Sequence, residues 1–310
     1  MQKIKKIDAH AHLIAFPQYY PTQLGSTPEN KLSFMSADEM FEIYEKLNVE
    51  KAVLLPIVSM EGQCAPMSTE ACAYLAEKYP DKLVWCCNVD PRSGMNKPDT
   101  DLGHFLEHYK ALGARGLGEL TAQLYPDDPY MENLFAYCEK LDLPVTIHIS
   151  AGPGNIDGNG YGIMDEMGLP RLEKTLKKFP NLKILGHSQL FWCEISGDLT
   201  LENRKGAPTG KVTEGTITRL MRTYDNLYCD VSANSGSNAM MRDPEFAAKF
   251  MEEFSDRIVY GCDVCRATDT FQYKFDAFLD NLVETGAISE ETYEKIVRKN
   301  AIRIFKLDME

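Results

Sequence analysis

Residues 4–12 read IKKIDAHAH, a short segment in which Asp8, His10 and His12 occupy alternate positions. Alternate side chains of a β-strand point to the same face. The pattern therefore predicts a strand over 4–10 that presents two imidazoles on one face, with Asp8 on the same face but one repeat deeper. Burying two imidazoles is costly unless they are partnered, so this stretch predicts a strand that carries a functional site.

Seven further apolar runs lie downstream of this first strand. The predicted strands cover residues 4–10, 51–56, 83–89, 114–120, 144–149, 182–187, 226–231 and 257–263. Helical patterns separate them, near 37–47, 68–79, 99–112, 129–142, 168–179, 213–224, 240–254 and 270–285, and a last helix is predicted near 289–305. Ser36 followed by Glu39, and Ser289 before two glutamates, are typical of helix starts.

Strands that alternate with helices predict a parallel sheet with right-handed crossovers. Eight such units favour an α/β fold with one domain over 1–310, a (β/α)8 TIM barrel with an extra C-terminal helix. An open doubly wound sheet is the competing architecture. The polar residues at the strand ends favour the barrel, because closing it would bring all of them to one mouth: His10, His12, Glu119, His148, His187 and Asp263.

Composition and charge narrow the class of protein. The chain has 310 residues, 44% of them hydrophobic and 25% charged, which is typical of a soluble globular protein. A net charge of −13 argues against nucleic acids and anionic membranes as partners, because both need basic patches. We see no apolar run long enough to span a membrane and no signal-peptide core. Nine cysteines, an odd number, are interpreted as reduced thiols of a cytoplasmic protein.

Two other patterns are interpreted as structural rather than functional. The C-x-x-C formed by Cys262 and Cys265 has no second pair, which makes it a weak indication of zinc or redox chemistry. His104 and His108 lie four residues apart on one predicted helix face, which we interpret as a solvated face.

The polar residues at the strand ends together predict a metal site. Four of the six histidines fall there, together with two carboxylates. Zinc binds imidazole nitrogen and carboxylate oxygen, and a catalytic zinc keeps one position open. Any one of these residues alone would be interpreted as a satisfied core residue, but five or six at the same ends of their strands favour metal binding.

The runs IDAHAH, GLGEL, TIHIS, LGHS and YGCDV, with the ending RKNAIRIFKL, resemble the amidohydrolase superfamily. Within it the chain is most similar to the amidohydrolase-related group. That group contains metal-dependent hydrolases and non-oxidative decarboxylases of the aminocarboxymuconate-semialdehyde type. The likeness covers nearly the whole chain, and the H-x-H pair with the final aspartate is its specific part.

The resemblance implies a divalent cofactor, zinc first and manganese as the alternative, with one or two ions. The implied ligands are His10, His12, His148 and Asp263. The resemblance also implies that His187 contacts substrate or assists proton transfer; in two-metal members its position ligates the second ion.

Glu119 stands on strand 4, where many members of the superfamily carry a carboxylated lysine. It could bridge two ions as in the TatD-like nucleases, bind one ion, or only hydrogen-bond a ligand. Arg115 and Glu119 are four residues apart, so in a regular strand their side chains would lie on the same face. This predicts either a bulge or a buried ion pair. Asp8 could orient a histidine or be a polar residue of the lower barrel layer.

These residues predict a metal-dependent hydrolase of a small amide, ester or lactone. Asp263 is the expected general base for water, and His187 the expected partner of the developing oxyanion. The alternative is a metal-dependent non-oxidative decarboxylase of a small, possibly aromatic-derived carboxylic acid, in which Asp263 or His187 would protonate carbon. A third hypothesis is a non-enzymatic barrel with a structural or vestigial metal.

The expected partner is a small-molecule substrate, and a homodimer is possible because dimers are common in the group that the chain resembles. Trp192, Arg242 and Arg266 fall in loops expected at the same mouth and are candidate substrate-binding residues. The two arginines would attract an anionic group that an acidic protein otherwise repels.

Overall fold

The computed structural model describes residues 4–16, 35–61, 67–150, 162–205 and 208–309. Its strands are β1 (Lys6–Ala11), β2 (Val49–Leu54), β3 (Leu83–Trp85), β4 (Leu117–Leu120), β5 (Val145–Ser150), β6 (Ile163–Met164), β7 (Ile184–His187), β8 (Leu227–Asp230) and β9 (Ile258–Val259). Every ladder between these strands is parallel.

Helices follow the strands along the chain. They are α1 (Ala37–Leu47), α2 (Thr69–Lys78), α3 (Gly103–Ala111), α4 (Pro129–Lys140), α5 (Pro170–Lys178), α6 (Gln189–Cys193), α7 (Thr216–Thr223), α8 (Ala233–Met241), α9 (Pro244–Glu253), α10 (Phe271–Glu284), α11 (Glu290–Glu294) and α12 (Asn300–Phe305). A π-helical turn, Lys295–Lys299, joins α11 to α12. Both predicted helix starts are confirmed, because the Ser36 and Ser289 hydroxyls accept backbone N–H groups of the first turn.

Eight of the strands surround a common axis. The ladders run in the orders β1-β2-β3 and β4-β5-β7-β8-β9, while the short β6 pairs with the end of β5. Backbone hydrogen bonds join the two groups at both seams. At the β3–β4 seam Gly118 N donates to Cys87 O at 3.0 Å, and at the β9–β1 seam Ala9 N donates to Tyr260 O at 3.0 Å. The structure therefore has the predicted (β/α)8 architecture.

The core has an inner and an outer part. Alternate residues of the strands form an inner apolar cluster with the C-terminal segment, which closes the lower end of the barrel: Ile7, Ala9, Val53, Leu55, Cys86, Leu185, Tyr228, Val259, Ala301, Ile304, Phe305 and Leu307. A larger cluster packs the outer faces of the strands against the helices. The opposite, C-terminal end of the barrel is left for polar side chains, as is usual in barrel enzymes.

A β-bulge in β1 changes which side chains face the barrel axis. From Asp8 to Ala11 this strand advances three residues, while β2 advances two, from Ala52 to Leu54. Such an extra residue reverses the alternation of faces beyond it. The expectation that Asp8 shares the face of His10 is therefore wrong: Asp8 points outward.

Contacts on the outer face of β1 agree with this assignment. Asp8 bonds to Tyr44 of α1, and Lys6, two residues earlier, pairs with Asp276 of α10. Lys6 and Asp8 both precede the bulge between Asp8 and Ala11, and the two histidines reach the axis within it and after it.

A second bulge lies in β4. Leu117 pairs with Val145 and Leu120 with Ile147, so β4 again holds one residue more than its neighbour. The bulge is one of the two outcomes predicted from the positions of Arg115 and Glu119 in the strand. The other, an ion pair with Glu119, is wrong, because Arg115 donates to Lys306 O at 2.9 Å and contacts the C-terminal segment.

The helix α8 is the main element missing from the predicted set, which has no helix between the strand over 226–231 and the helix near 240–254. Its sequence, ANSGSNAMM, is rich in residues of low helix propensity. The structure shows why small residues are needed: a Cβ on Gly236 would lie 2.4 Å from the backbone of Val231. Close packing of α8 on the end of β8 thus overrides local propensity.

Two predictions from composition can be compared with the described residues. Every cysteine that the structure describes is a free thiol, including Cys262 and Cys265. None of the helices in the described ranges is long and apolar enough to cross a membrane.

Candidate metal centre

Six side chains predicted from the strand ends converge at the C-terminal mouth of the barrel. They come from β1 and the residue that follows it, from β4, β5 and β7, and from the segment after β9, and are His10, His12, Glu119, His148, His187 and Asp263. Among the described residues, two groups of three have donor atoms that all lie within 4.8 Å of one another: His10, His12 and Asp263, and His10, Glu119 and His187.

The two histidines of β1 direct their Nε2 atoms at each other, 2.9 Å apart. The Nδ1 atom of His10 lies 2.6 Å from Asp230 Oδ2, and Nδ1 of His12 lies 2.9 Å from Leu55 O. Because both partners are acceptors, each Nδ1 carries a proton, and Nε2 is the atom through which each ring can bind a cation. Two Nε2 atoms that face each other in this way can share a cation, so this pair fits a metal ion.

Glu119 links the histidines on the other side of the mouth. Its Oε1 lies 2.6 Å from His148 Nδ1, and its Oε2 lies 3.5 Å from His12 Nε2. The bulge in β4 makes this possible. Leu117 and Leu120 on either side of it both pack in the outer cluster, while Glu119 turns towards the axis. Glu119 is 3% exposed, so the carboxylate is available to groups inside the mouth rather than to bulk water.

Asp263 lies between the β1 histidines and His187. Its Oδ1 is 3.7 Å from His10 Nε2 and 3.5 Å from His12 Nε2, while its Oδ2 is 3.3 Å from His187 Nε2. Asp263 adopts a left-handed backbone conformation with φ of 47°. Such a conformation is uncommon outside glycine and concentrates at functional sites.

A family model described as Amidohydrolase matches residues 7–307 of the chain, which include all six of these residues. The chain belongs to the amidohydrolase family. No curated protein shows a significant match to it.

Several solved structures share the fold of this amidohydrolase. An uncharacterized TIM-barrel protein from Bordetella bronchiseptica is 19% identical, with a TM-score of 0.64, over 98% of this chain and 99% of the other. A putative 2-pyrone-4,6-dicarboxylic acid hydrolase from Pseudomonas putida is 13% identical, with a TM-score of 0.63, over 99% and 100%. A dihydroxybenzoic acid decarboxylase from a Polaromonas species, with bound manganese and the inhibitor 2-nitroresorcinol, is 17% identical, with a TM-score of 0.58, over 99% and 98%.

The electrostatics of the amidohydrolase site favour bound positive charge. Burial by itself lowers the pKa of His10, but the charges of Asp263 and Asp230 outweigh it and raise the pKa to about 10. Burial raises the pKa of Asp263, yet the neighbouring histidines reverse this and hold it at about 2. The same opposition holds the pKa of Glu119 well below its ordinary value, with His148 as the main lowering charge. Imidazole nitrogen and carboxylate oxygen together suit zinc or manganese.

Asp230 is a site residue that is not among the six predicted from the strand ends. It ends β8 and is 1% exposed, and its Oδ2 holds Nδ1 of His10. Ser232 N donates to its Oδ1 at 3.0 Å, and the Ser232 hydroxyl lies 3.0 Å from His187 Nδ1. A carboxylate at the end of the apolar run NLYCDV is the same pattern that predicts Asp263, so the sequence also indicates Asp230 as a site residue.

The three candidate substrate-binding residues lie in different places. Trp192 is 2% exposed and its indole Nε1 donates to Asp230 O at 2.9 Å, so it packs behind the donor cluster. Arg242 donates to backbone carbonyls, Gly210 O among them at 2.9 Å, and lines a separate cavity of about 310 Å³ beside α6. Arg266 follows Asp263 by three residues and has a half-exposed side chain near Asp269.

Proposed function

We propose that this amidohydrolase is a metal-dependent hydrolase of a small amide, ester or lactone, with zinc as the expected ion and manganese as the alternative. The observation that supports this most is the position of Asp263. One of its oxygens faces His10 and His12, and the other lies 3.3 Å from His187. A single carboxylate thus joins the donor cluster to a histidine suited to proton transfer.

In this proposal His10, His12 and Asp263 hold one ion, and Glu119 with His148 completes the site or supports a second ion. When bound, a divalent ion supplies Lewis-acid chemistry, because it lowers the pKa of water and polarises a carbonyl. The paired Nε2 lone pairs of the two β1 histidines are the reason to place the ion there.

The remaining chemistry is that of the protein side chains. Asp263 accepts the proton of the attacking water and returns it to the leaving group, the role of a general base followed by a general acid. When the Ser232 hydroxyl donates to Nδ1 of His187, the proton of that ring lies on Nε2. His187 then donates a hydrogen bond to the oxyanion that develops on the substrate.

Arg266 is the arginine that we propose to meet an anionic group of the substrate. It lies on the segment that carries Asp263, and its only described carboxylate partner is Asp269 at 3.9 Å. A cation near the mouth offsets the repulsion that a chain of net charge −13 exerts on an anion.

We also propose that residues 1–310 form one domain.

The first test measures metal content and reaction type together. Protein purified without chelator or affinity metal is expected to contain one or two equivalents of zinc or manganese by elemental analysis. A His10→Ala, His12→Ala double variant is expected to lose the ion, because the two Nε2 donors are removed. Loaded wild type is then tested on small lactones, esters and amides in ¹⁸O-labelled water, with ¹⁸O expected in the acid product.

The matched control is a His104→Gln, His108→Gln variant. Both residues are exposed on α3, so this variant removes a surface pair that could add to the metal count. It is expected to keep the stoichiometry of the wild type. Wild type that binds no divalent ion after reconstitution would contradict the proposal. Release of CO2 from small aromatic carboxylic acids, with solvent deuterium on carbon, would favour the decarboxylase instead.

A further inference from the structure

The outward-facing Asp8 carboxylate is an unusual component of the β9–β1 seam. Its Oδ1 accepts the backbone N–H of His10 at 2.9 Å and that of Cys262 at 2.8 Å. Its Oδ2 accepts the hydroxyl of Tyr44 at 2.6 Å. With Asp8 fully buried, one carboxylate connects β1, the segment after β9 and helix α1.

The bulge in β1 explains why a side chain is needed here. An extra residue in one strand interrupts the regular ladder and leaves backbone groups without their usual partners. A buried N–H needs an acceptor, since leaving it unpaired costs stability. Asp8 supplies that acceptor to His10 within the bulge and to Cys262 across the seam, so one side chain replaces two carbonyl partners.

Both backbone N–H groups lie on or next to proposed metal ligands in the sequence. His10 is itself a donor of the cluster, and Cys262 immediately precedes Asp263. We propose that Asp8 is a positioning residue that fixes His10 and Asp263 at the separation a divalent ion requires. This inference rests on the proposed function, since it assigns a purpose to the spacing of the proposed ligands.

The seam keeps other bonds when Asp8 is changed. Ala9 N donates to Tyr260 O at 3.0 Å, and Asp263 N donates to His10 O at 2.9 Å. These direct backbone bonds hold the strands together, whereas the carboxylate holds the bulge. Loss of Asp8 is therefore expected to loosen the ligand geometry more than it weakens strand pairing.

The test compares Asp8→Ala, Asp8→Asn and Tyr44→Phe. Affinity for Zn²⁺ and for Mn²⁺ is measured by competition with a chelator. We expect Asp8→Ala to bind about 10–100-fold more weakly, the range found when groups supporting metal ligands are removed. Asn keeps an oxygen that can accept both amides, so Asp8→Asn is expected to recover most of the affinity. Tyr44→Phe leaves both amide bonds in place and is expected to stay close to wild type.

Hydrogen–deuterium exchange on the metal-free proteins gives a readout that does not depend on the ion. Peptides containing His10 and Cys262 are expected to exchange faster in Asp8→Ala than in wild type, and Tyr44→Phe is expected to leave them unchanged. If Asp8→Ala does not fold, Asp8→Asn takes its place: a neutral amide oxygen accepts the two N–H groups less strongly than a carboxylate, so this variant is expected to bind the ion more weakly than Tyr44→Phe, and equal affinities would overturn the inference.

Two results would overturn the inference. The first is an Asp8→Ala variant with wild-type metal affinity, and the second is an equal loss of affinity in Asp8→Ala and Tyr44→Phe. Wild type without any divalent ion would instead refute the proposed function, while the exchange data would still show whether Asp8 holds the bulge.

Discussion

A single carboxylate, Asp230, decides which nitrogen of His10 is available inside the mouth. Its Oδ2 lies 2.6 Å from Nδ1 of that ring, and its backbone oxygen accepts the Trp192 indole, which holds the strand end in place. Carboxylates in this position fix the tautomer of a ligating histidine and raise its basicity. Trp192 therefore contacts the site through Asp230.

We predict that Asp230→Asn weakens metal binding about 10–100-fold. An amide can present its NH₂ to Nδ1 and favour the tautomer that carries its proton on Nε2, which removes the lone pair that faces His12. Chelator competition measures the affinity, and the thermal midpoint of the metal-free protein reports on folding. A parallel Asp198→Asn variant changes a carboxylate beside the separate cavity at α6 and should leave the affinity alone; an equal loss in both variants would refute the prediction.

Residue types and strand-end positions were enough to predict the six converging side chains. Asp230 obeys the same rule, because it lies at the end of the strand predicted over 226–231. The outward face of Asp8 could not be predicted in the same way. Alternation is a reliable guide to faces only in a regular strand, and the sequence IDAHAH carries no mark of the extra residue.

The bulges of β1 and β4 are the features that turn His10 and Glu119, two proposed metal ligands, towards the barrel axis. In β4 the bulge depends on Gly118, whose φ is +136°. A Cβ there would lie 2.7 Å from Thr146 O in the neighbouring strand β5. Glycine is required on both counts, because other residues rarely adopt this conformation and the strands approach too closely for a side chain.

We predict that Gly118→Ala destabilises the fold by about 1–3 kcal/mol and also weakens metal binding, because Glu119 is carried by the displaced segment. Gly168→Ala is the matched control, since Gly168 also has a positive φ, of +87°, but no atom within 4 Å of an added Cβ. Urea unfolding and chelator competition are measured on both. Only Gly118→Ala should lose metal affinity, and an equal loss in both variants would argue against a role for the bulge.

Most elements could be predicted, and the exceptions have physical reasons. The capped helix near 37–47 matched α1 because its start signal and its apolar periodicity agree. The helix over Ala233–Met241 was missed because its small residues serve close packing on β8 rather than local propensity. The strand predicted over 257–263 shortens to Ile258–Val259, since its later residues turn towards the mouth to carry Asp263.

At the scale of the whole molecule, ionic contacts tie neighbouring loops of the mouth together. Arg92, which follows β3, pairs with Asp90 on its own segment and with Glu61 after β2. Burial raises the pKa values of Asp90 and Glu61, but Arg92 outweighs it and holds both below their ordinary values. Carboxyl groups with a lowered folded pKa stabilise the fold above the unfolded pKa, and this stability is lost as pH falls through the folded value.

We predict that Arg92→Gln lowers the thermal midpoint by about 1–3 °C at pH 7, and that the difference from wild type shrinks as pH falls below about 4. Differential scanning calorimetry at a series of pH values measures it. Lys249→Gln, which removes an exposed pair with Glu245, should have little effect at any pH. A difference that stays constant down to about pH 3.5 would show that the Arg92 contacts act through packing rather than charge.

The (β/α)8 architecture could be predicted more fully than the single elements or residues. Eight repeated units and polar strand ends were enough for a barrel, because periodicity and topology rules act on the whole chain and tolerate local errors. The seams could not be predicted to the residue, since the paired groups on either side lie far apart in sequence and the bulges shift their register.

The β9–β1 seam also makes the proposed metal centre depend on closure of the barrel. His10 and His12 lie at the end of the first described strand, whereas Asp263 follows the last one, so the full donor set is assembled only when these two distant segments meet. Contacts between such distant segments form late in folding. An ion that binds only the closed barrel stabilises it by mass action. Uptake of such an ion would therefore mark the moment at which the barrel closes.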